Sequence, residues 1–540
     1  MSPPNGRAPV AWGFPVLVGL FLLLCYLLTF PGTIAPSVSD GRAMYMVTQS
    51  LVDRHDVAVR SDSRKGFLVT PGWRPLPLPG GACATEKTAN AIGERPGGPY
   101  FTKYGLGQSL LATPLYALGG VIGRAFPVVS QGASGINRAE VQAAVTSAYD
   151  PLVTALTAVL LCGLALRLGW SRRVGLALAL TFGLATPAWA YTATFFSEPT
   201  IALCLIGALA AILWSTDGPT PLGSVVCGGW LSLALLTHLA DSLLYVAVFG
   251  AYLLVEAIRR NRWENLAAFS APLVLALLVT ADYNLARFGG IMSTGYGIVG
   301  DYHDLHPPRT LQGFWEGIYG PVLSPGKGVL LYAPILFAAA WAWPRFRRRQ
   351  WSAAGWLCLA LSVAAVLGHA NTLIVWLGGW AWGPRFVVPI LPLAILPLGA
   401  WLAEGSRIAW RLTWALGALG LLIQIPALLL DYSVYIAHLR DTVPGRCIWQ
   451  AEDLYKWRPQ YSPLIGQWER LFDSATYQGV PRPSAQTIAG GAFTPSPHPW
   501  WSLLADQGVS HGWVALAAGA LGLAAFGALI LVARAAARDG

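Results

Sequence analysis

Long apolar stretches alternate with polar connections along almost the whole chain. A helix of about 20 apolar residues crosses the roughly 30 Å hydrocarbon layer of a bilayer, and about twelve stretches have this character. The fifth and sixth would form one helix of about 55 Å if they were continuous, so the pattern predicts a turn near residues 238–241. The predicted cores are residues 11–30, 151–166, 174–190, 200–214, 222–236, 243–255, 266–280, 328–343, 351–367, 386–402, 412–430 and 513–532. The pattern therefore predicts an all-α polytopic membrane protein.

The basic residues in the connections predict the orientation. They cluster in alternate connections, whereas the opposite short turns around Tyr191 and His238 contain no Lys or Arg. Because cytoplasmic loops carry the excess of Lys and Arg, we expect both termini in the cytoplasm and the spans in the plasma (inner) membrane. The first stretch has no small-residue cleavage pattern, so we expect a signal anchor. The clusters are Arg7; Arg167, Arg172 and Arg173; Arg259, Arg260 and Arg262; Arg345, Arg347, Arg348 and Arg349; Arg407 and Arg411; and Arg534 and Arg538.

Composition supports this class. Of 540 residues, 55% are hydrophobic and 11% charged, and the mean hydropathy is +0.51, which argues against a soluble enzyme. The net charge of +10 comes from short clusters between apolar stretches and not from one basic face, so nucleic acid is not an expected partner.

Three polar segments on the predicted outer side have room for chemistry: residues 31–138, 284–326 and 431–511. Cys83 and Cys447 are the two cysteines outside the apolar stretches. They could form a disulfide in an oxidising compartment or remain separate, and no spacing motif favours either.

Two acidic residues stand next to apolar stretches. Asp40 precedes an amphipathic segment in which Met44, Val47 and Leu51 recur at helical spacing, which predicts a short interfacial helix. Asp40 would then be an N-cap, or a carboxylate held ionised by the helix dipole and able to accept a proton. Glu198, followed by Pro199, has the same two interpretations at the start of another helix.

Basic residues on the same predicted side are candidates for binding an anion. The turn at residues 324–328 leads into the eighth apolar stretch, so its backbone N–H groups and Lys327 could converge on an anion, although Pro-Gly turns are also ordinary loops. Lys103 and Arg385 are further phosphate candidates, or interfacial side chains that reach toward the headgroups.

Other features are less specific. Trp376, Trp380 and Trp382 could stack on a sugar ring, but tryptophans at a membrane interface are more often belt anchors. His303, Asp304 and His306 match no established metal spacing and are more typical of a solvated loop. The sequence has no P-loop, metalloprotease helix or Gly-x-Ser-x-Gly elbow.

Taken in order, these features resemble the GT-C superfamily of integral-membrane glycosyltransferases that use polyprenyl-phosphate-linked sugars, of the bacterial type. The resemblance covers most of the chain from Ala11 to about Leu402. It rests on Asp40 after the first span, the segment Lys103-Tyr104-Gly105-Leu106-Gly107, the acidic turn at Glu198, and residues 288–297, 324–328 and 376–385.

The resemblance implies a hexosyl- or pentosyltransferase that moves a sugar from a polyprenyl phosphate to an extracytoplasmic glycan, lipid or protein acceptor, with inversion at the anomeric carbon. Asp40 would be the general base, with Glu198 as a second catalytic acid. It implies a catalytic core at residues 1–404, including the loop 31–138, followed by C-terminal helices at residues 405–540 with the loop 431–511. The implied donor-binding residues are Arg42, Lys103, Tyr104, Tyr296, Lys327, Trp380 and Arg385.

Several branches of the superfamily carry two adjacent acids in the first outer loop, whereas this chain has Asp40-Gly41. The sequence therefore assigns no cofactor and leaves the use of a divalent metal open. Two other classes also remain open: a transporter or flippase for a lipid-linked or amphipathic substrate, and a non-catalytic assembly or binding protein. The charge-free apolar cores and the large outer loops favour the enzyme over a transporter.

Overall fold

The protein is described here from a computed structural model. The structure describes residues 10–32, 39–59, 91–93, 100–125, 138–215, 218–294, 311–348, 351–372, 376, 378–379, 381–432, 435, 438–439, 454–473, 499–501, 504 and 510–538. Within these ranges the chain is helical apart from loops and one hairpin, in which β1 (Ala91–Gly93) pairs antiparallel with β2 (Tyr100–Thr102).

The helices before the middle polar segment include the short helix predicted after the first span. They are α1 (Gly13–Thr29), α2 (Ser39–Asp53), α3 (Gly107–Leu111), α4 (Thr113–Ala125), α5 (Arg138–Ser147), α6 (Tyr149–Arg167), α7 (Arg172–Leu184), α8 (Ala188–Tyr191), α9 (Glu198–Leu213), α10 (Pro221–Thr237), α11 (Leu239–Arg260) and α12 (Trp263–Phe288).

The later helices include several short ones. They are α13 (Leu311–Leu323), α14 (Val329–Tyr332), α15 (Ile335–Phe346), α16 (Ser352–Thr372), a 3₁₀ helix (Arg385–Ile390), α17 (Leu391–Ile395), α18 (Pro397–Ala403), α19 (Arg407–Leu429), a second 3₁₀ helix (Pro459–Tyr461), α20 (Pro463–Phe472) and α21 (His511–Ala537).

The predicted all-α polytopic membrane architecture is confirmed. Each of the twelve predicted stretches falls on one or more of the described helices. Three shorter apolar helices, α1, α9 and α10, accompany those of full spanning length. Within the described ranges, seven helical segments are long and apolar enough to cross a membrane: Arg138–Arg167, Leu239–Arg260, Trp263–Phe288, Ser352–Ala370, Arg385–Ala403, Arg407–Leu429 and His511–Ala537. The number of crossings, the sidedness and the division after residue 404 stay predictions.

Helix breaks occur where the sequence supplies a reason. The predicted turn near residues 238–241 is confirmed, because α10 ends at Thr237 and α11 begins at Leu239. The stretch 328–343, predicted as one helix, is divided between α14 and α15 at Pro334, and the stretch 386–402 is divided into three short helices that contain Pro389, Pro392 and Pro397. Proline lacks the N–H that would continue a helix, which explains the division at Pro334 and the divisions within residues 386–402.

Helix α9 lies at the centre of the bundle and positions the site. It is hydrophobic almost all round and buried along its length, as expected for a core helix. It packs against α6, α10 and the 3₁₀ helix Arg385–Ile390. Helix α2 packs against α3, α4 and β2. The C-terminal helix α21 packs against α1, with most of its surface left outside the bundle.

Candidate active site

One arginine joins the two acids that the sequence singles out. Nη1 of Arg385 lies 2.6 Å from Oδ2 of Asp40, and Nε lies 2.6 Å from Oε1 of Glu198. The guanidinium also lies over the ring of Phe196, 3.8 Å from its centroid. Charge-assisted hydrogen bonds of this length are among the stronger ones in proteins. Three distant parts of the chain therefore meet in one acid–arginine–acid cluster.

Each member of the cluster stands at the start of a helix. Asp40 lies in the first turn of α2, and Glu198 is the first residue of α9, ahead of Pro199. Arg385 is the first residue of its 3₁₀ helix. Carboxylates are stabilised at helix N-termini by the unpaired backbone N–H groups and the helix dipole. The helix starts thus bring both acids to the same arginine.

Two glycines allow the backbone to approach closely enough. A Cβ on Gly41 would lie 2.6 Å from the carbonyl oxygen of Thr194 and 3.2 Å from that of Phe195. Gly378 has a φ of +68°, and a Cβ there would lie 2.4 Å from Cβ of Arg385. The glycine beside Asp40 therefore has a packing role in this chain.

The turn that receives Gly41 is itself constrained. Phe195 is buried and has a φ of +56°, an uncommon conformation for a bulky residue. Its carbonyl oxygen accepts a hydrogen bond from Nε2 of Gln108 at 2.9 Å, and Gln108 is fully buried. Backbone strain of this kind persists only where the surroundings enforce it. The buried amide therefore fixes the turn that leads into Glu198.

Lys103 and Tyr104 approach the cluster from the loop after β2. The Tyr104 hydroxyl donates a hydrogen bond to Asp40, and the charge of Lys103 acts on the same carboxylate. The buried guanidinium of Arg287 holds this loop, because Nη1 donates to the carbonyl oxygens of Thr102 and Tyr104. Arg287 therefore positions the loop, a function that the sequence did not reveal.

These partners control the ionisation of Asp40. Burial alone would raise its pKa, but the charges of Arg385 and Lys103 and the hydrogen bonds from Tyr104 and Arg385 outweigh burial and lower the pKa to about 2. Asp40 is therefore a carboxylate at any ordinary pH. It also holds a proton weakly as long as these contacts persist.

A third acid was missed by the sequence analysis. Asp150 is fully buried and lies close to Glu198, facing the backbone of Phe195 and Phe196 and the side chain of Thr194. Among the described residues neither of its carboxyl oxygens has a partner in strict hydrogen-bond geometry. The signal in the sequence is an acid directly before the apolar stretch 151–166. The predicted boundary placed Asp150 in the preceding connection and not in the helix.

Lys327 is occupied by the protein itself. Its side chain is fully buried, and Nζ donates to the carbonyl oxygens of Gly379 and Ala381. The backbone N–H groups of Lys327 and Gly328 donate to Ser324. The expectation of a turn with free N–H groups is therefore wrong for these residues, because Ser324 already accepts from them.

The two described tryptophans of the segment 376–382 belong to a packed interior. Trp376 and Trp382 are buried, so the belt interpretation is wrong for these two. Nε1 of Trp382 donates to Oε1 of Gln424 at 2.9 Å, and the ring packs edge-on against Tyr332. A buried indole of this kind fixes the loop that leads to Arg385.

Of the remaining sequence candidates, Arg42 lies in the described part of the chain. Arg42 is half-buried and its charge acts on Tyr45. Among the described residues no group of three or more His, Cys, Asp or Glu is arranged to hold a metal ion. Nine residues named above lie outside the described ranges: Arg7, Cys83, Tyr296, His303, Asp304, His306, Arg349, Trp380 and Cys447.

Comparison with solved structures finds two crystal structures of ArnT from Cupriavidus metallidurans. The one bound to undecaprenyl phosphate is 14% identical, with a TM-score of 0.43, over 85% of this chain and 76% of that chain. The apo structure is 15% identical, with a TM-score of 0.42, over 84% and 74%. No protein-family model and no curated protein matches the chain. Similarity of this extent is too weak to decide function, which must be argued from the cluster.

Proposed function

We propose that the protein is a membrane glycosyltransferase that moves a sugar from a polyprenyl phosphate to a hydroxyl or amino acceptor at the outer surface of the plasma membrane. The observation that carries the proposal is the convergence of Asp40, Glu198 and Arg385 beside Lys103 and Tyr104. A base and fixed positive charge then lie within one site at the ends of apolar helices. A reaction between a lipid phosphate and a polar acceptor needs both groups around one carbon.

In the proposed reaction the acceptor oxygen or nitrogen attacks the anomeric carbon from the face opposite the phosphate. The new bond to the acceptor forms as the bond from carbon to the phosphate oxygen breaks, which inverts the configuration. The acceptor's proton passes to Asp40, and the electron pair of the broken bond leaves with the lipid phosphate. Asp40 suits this role because it is ionised and its side chain is 22% exposed, whereas Glu198 is enclosed.

The departing phosphate gains negative charge that the protein must stabilise. Arg385 contacts Asp40 directly, the charge of Lys103 acts on the same carboxylate, and Tyr104 adds a hydroxyl donor. Fixed donors stabilise developing charge better in a dry site than in water. Glu198 holds the other side of Arg385 and so orients the guanidinium.

The other donor-binding candidates have more remote roles in this proposal. Lys327 acts through the loop that it holds, since its two carbonyl partners precede Arg385 in the chain. Arg42, Tyr296 and Trp380 are proposed as contacts to the lipid or the sugar on the strength of the sequence resemblance. The site's need for a divalent metal is left to experiment.

The decisive experiment measures transfer from a pool of polyprenyl-phosphate sugars by the purified protein in lipid nanodiscs. Asp40→Asn keeps the size and a polar cap but removes the base, so we expect turnover to fall by about 10²- to 10⁴-fold, the usual contribution of general-base catalysis. Asp53→Asn is the matched control. It also removes an acid from α2, but Asp53 accepts from Tyr116 and lies at the other end of the helix.

Three outcomes would count against the proposal. Retention of more than about a tenth of wild-type turnover by Asp40→Asn would make Asp40 a structural cap. Movement of the lipid between leaflets without any transfer would instead favour the flippase. Equal losses in Asp40→Asn and Asp53→Asn would show that the effect comes from α2 as a whole.

A further inference from the structure

Arg385 is shared between two acids that differ in their surroundings. The side chain of Glu198 is 5% exposed and that of Asp40 is 22% exposed, while the arginine itself is 10% exposed. Nε faces the enclosed acid and Nη1 faces the more open one. A ligand that arrives from the open side therefore meets the Asp40 end of the guanidinium first.

An anion arriving there competes with Asp40 for the same donor. Arginine binds phosphate through parallel N–H groups, so a phosphate held by Nη1 and Nη2 would draw Nη1 toward itself and repel the like-charged carboxylate of Asp40. The bond to enclosed Glu198 and the ring of Phe196 hold the rest of the guanidinium in place. The contact to Asp40 is thus the one that an incoming phosphate weakens.

Asp40 cannot follow the arginine if Nη1 is drawn away. Gly41 packs so closely against the carbonyl oxygens of Thr194 and Phe195 that a Cβ would not fit there, so the first turn of α2 is held against residues 194 and 195. Further along, the Thr48 hydroxyl donates to the carbonyl oxygen of Ser109 at 3.0 Å, and the Ser109 hydroxyl donates to that of Met44 at 2.9 Å. Movement of Nη1 therefore separates the pair.

We propose that Arg385 locks Asp40 in the absence of the donor, and that the donor phosphate releases Asp40 as the base by taking Nη1. This inference rests on the proposed function and adds to it an order of events, in which the donor binds before the proton can be taken. A carboxylate that has lost an arginine contact accepts a proton more readily. The site then becomes competent only when its leaving group is in place.

The test is the affinity of the purified protein in nanodiscs for a polyprenyl monophosphate without sugar. Asp40→Asn removes the competitor for Nη1, so we expect binding to become about ten-fold tighter. Asp53→Asn, which removes an equal charge from the same helix, should change the affinity less than two-fold. Asp40→Ser, a smaller uncharged cap, serves as a second variant if Asp40→Asn unfolds.

A second background distinguishes competition from simple loss of negative charge. Arg385→Gln with Glu198→Gln removes one cation and one anion together, so the net charge of the cluster is kept. In that background Asp40→Asn should tighten binding by only about two-fold, because the shared donor is gone. A full ten-fold gain there would overturn the inference.

The remaining outcomes separate the inference from the proposed function. Wild-type binding with no tightening in either Asp40 variant would overturn the lock and leave the glycosyltransferase proposal intact. Absence of binding in the wild type and in every variant would overturn both, because no lipid phosphate would then reach Arg385.

Discussion

Arg385 and Lys327 are both buried cations that border residues 378–384, and their partners differ. Arg385 binds two carboxylates, whereas Lys327 binds two backbone carbonyl oxygens of that segment. An incoming anion at Arg385 competes with charged side chains and changes their basicity. At Lys327 it would instead compete with the hydrogen bonds that hold the loop. The partners of a buried cation therefore decide whether it can take part in chemistry or only in folding.

The surroundings of the two cations reinforce this difference. Nζ of Lys327 lies 5.0 Å from the ring centre of Tyr432 and 5.9 Å from that of Tyr455, in an aromatic enclosure. The Ser462 hydroxyl closes the neighbouring turn by donating to the carbonyl oxygen of Pro325 at 2.6 Å. The Asp40 side of Arg385 is more open. We therefore expect substitutions at the two cations to differ in the size of the stability loss and in whether they act on the site directly or through the loop.

The largest effect on stability is expected for Arg385→Ala. Removing one partner of a buried ion pair costs about 3–5 kcal/mol, because Glu198 is left enclosed without its cation. Thermal unfolding in detergent measures the loss. Arg385→Ala combined with Glu198→Gln should recover much of it. A single variant as stable as the wild type would show that the pair does not hold the helices together.

Lys327→Met should destabilise the protein less. It removes the donor to the carbonyl oxygens of Ala381, which is buried, and of Gly379, which is half-buried, so one enclosed acceptor is left without this partner at about 1–3 kcal/mol. The same unfolding assay applies, and we expect a lower donor affinity as the loop before Arg385 loosens. A loss of stability larger than that of Arg385→Ala would contradict the expected difference between the two cations.

Gly41→Ala tests how closely α2 must approach the turn. The added methyl group would meet two backbone carbonyl oxygens, and overpacking of this kind costs about 1–3 kcal/mol. Turnover should fall about ten-fold or more, since Asp40 is displaced. Gly250→Ala is the matched control, because a Cβ there meets only a side-chain atom of Phe269 at 3.6 Å. Equal behaviour of the two variants would remove the close approach from the explanation.

The smallest expected effect is the contribution of Asp40 to the loss of stability at acidic pH. The pKa of Asp40 is lowered from its ordinary 3.8 to about 2, so its pairing stabilises the fold fully above the ordinary value. That contribution is lost as the pH falls from about 4 through 2. The drop in unfolding temperature between about pH 5 and pH 3 should be smaller in Asp40→Asn than in the wild type. Identical drops would show that other groups dominate acid unfolding.

The helices were predictable because each apolar stretch carries its own signal. Residues 151–166 and 266–280, for example, are long and apolar enough to form helices that avoid water, and α6 and α12 are found there. Asp40 and Glu198 were recognisable for a related reason, since an acid next to an apolar stretch is unusual. Asp150 also stands next to an apolar stretch, but the predicted boundary placed it in a connection.

The pairing of these groups was decided by the tertiary structure alone. Arg385 lies 345 positions from Asp40 and 187 from Glu198, so no local pattern connects them. In the sequence, Arg385 and Lys327 are equivalent candidates for binding an anion, because the charge of a side chain is a local property. What each charge does depends on whether folding brings it carboxylates or backbone carbonyls, and that follows from how α9, α2 and the segment 378–390 pack together.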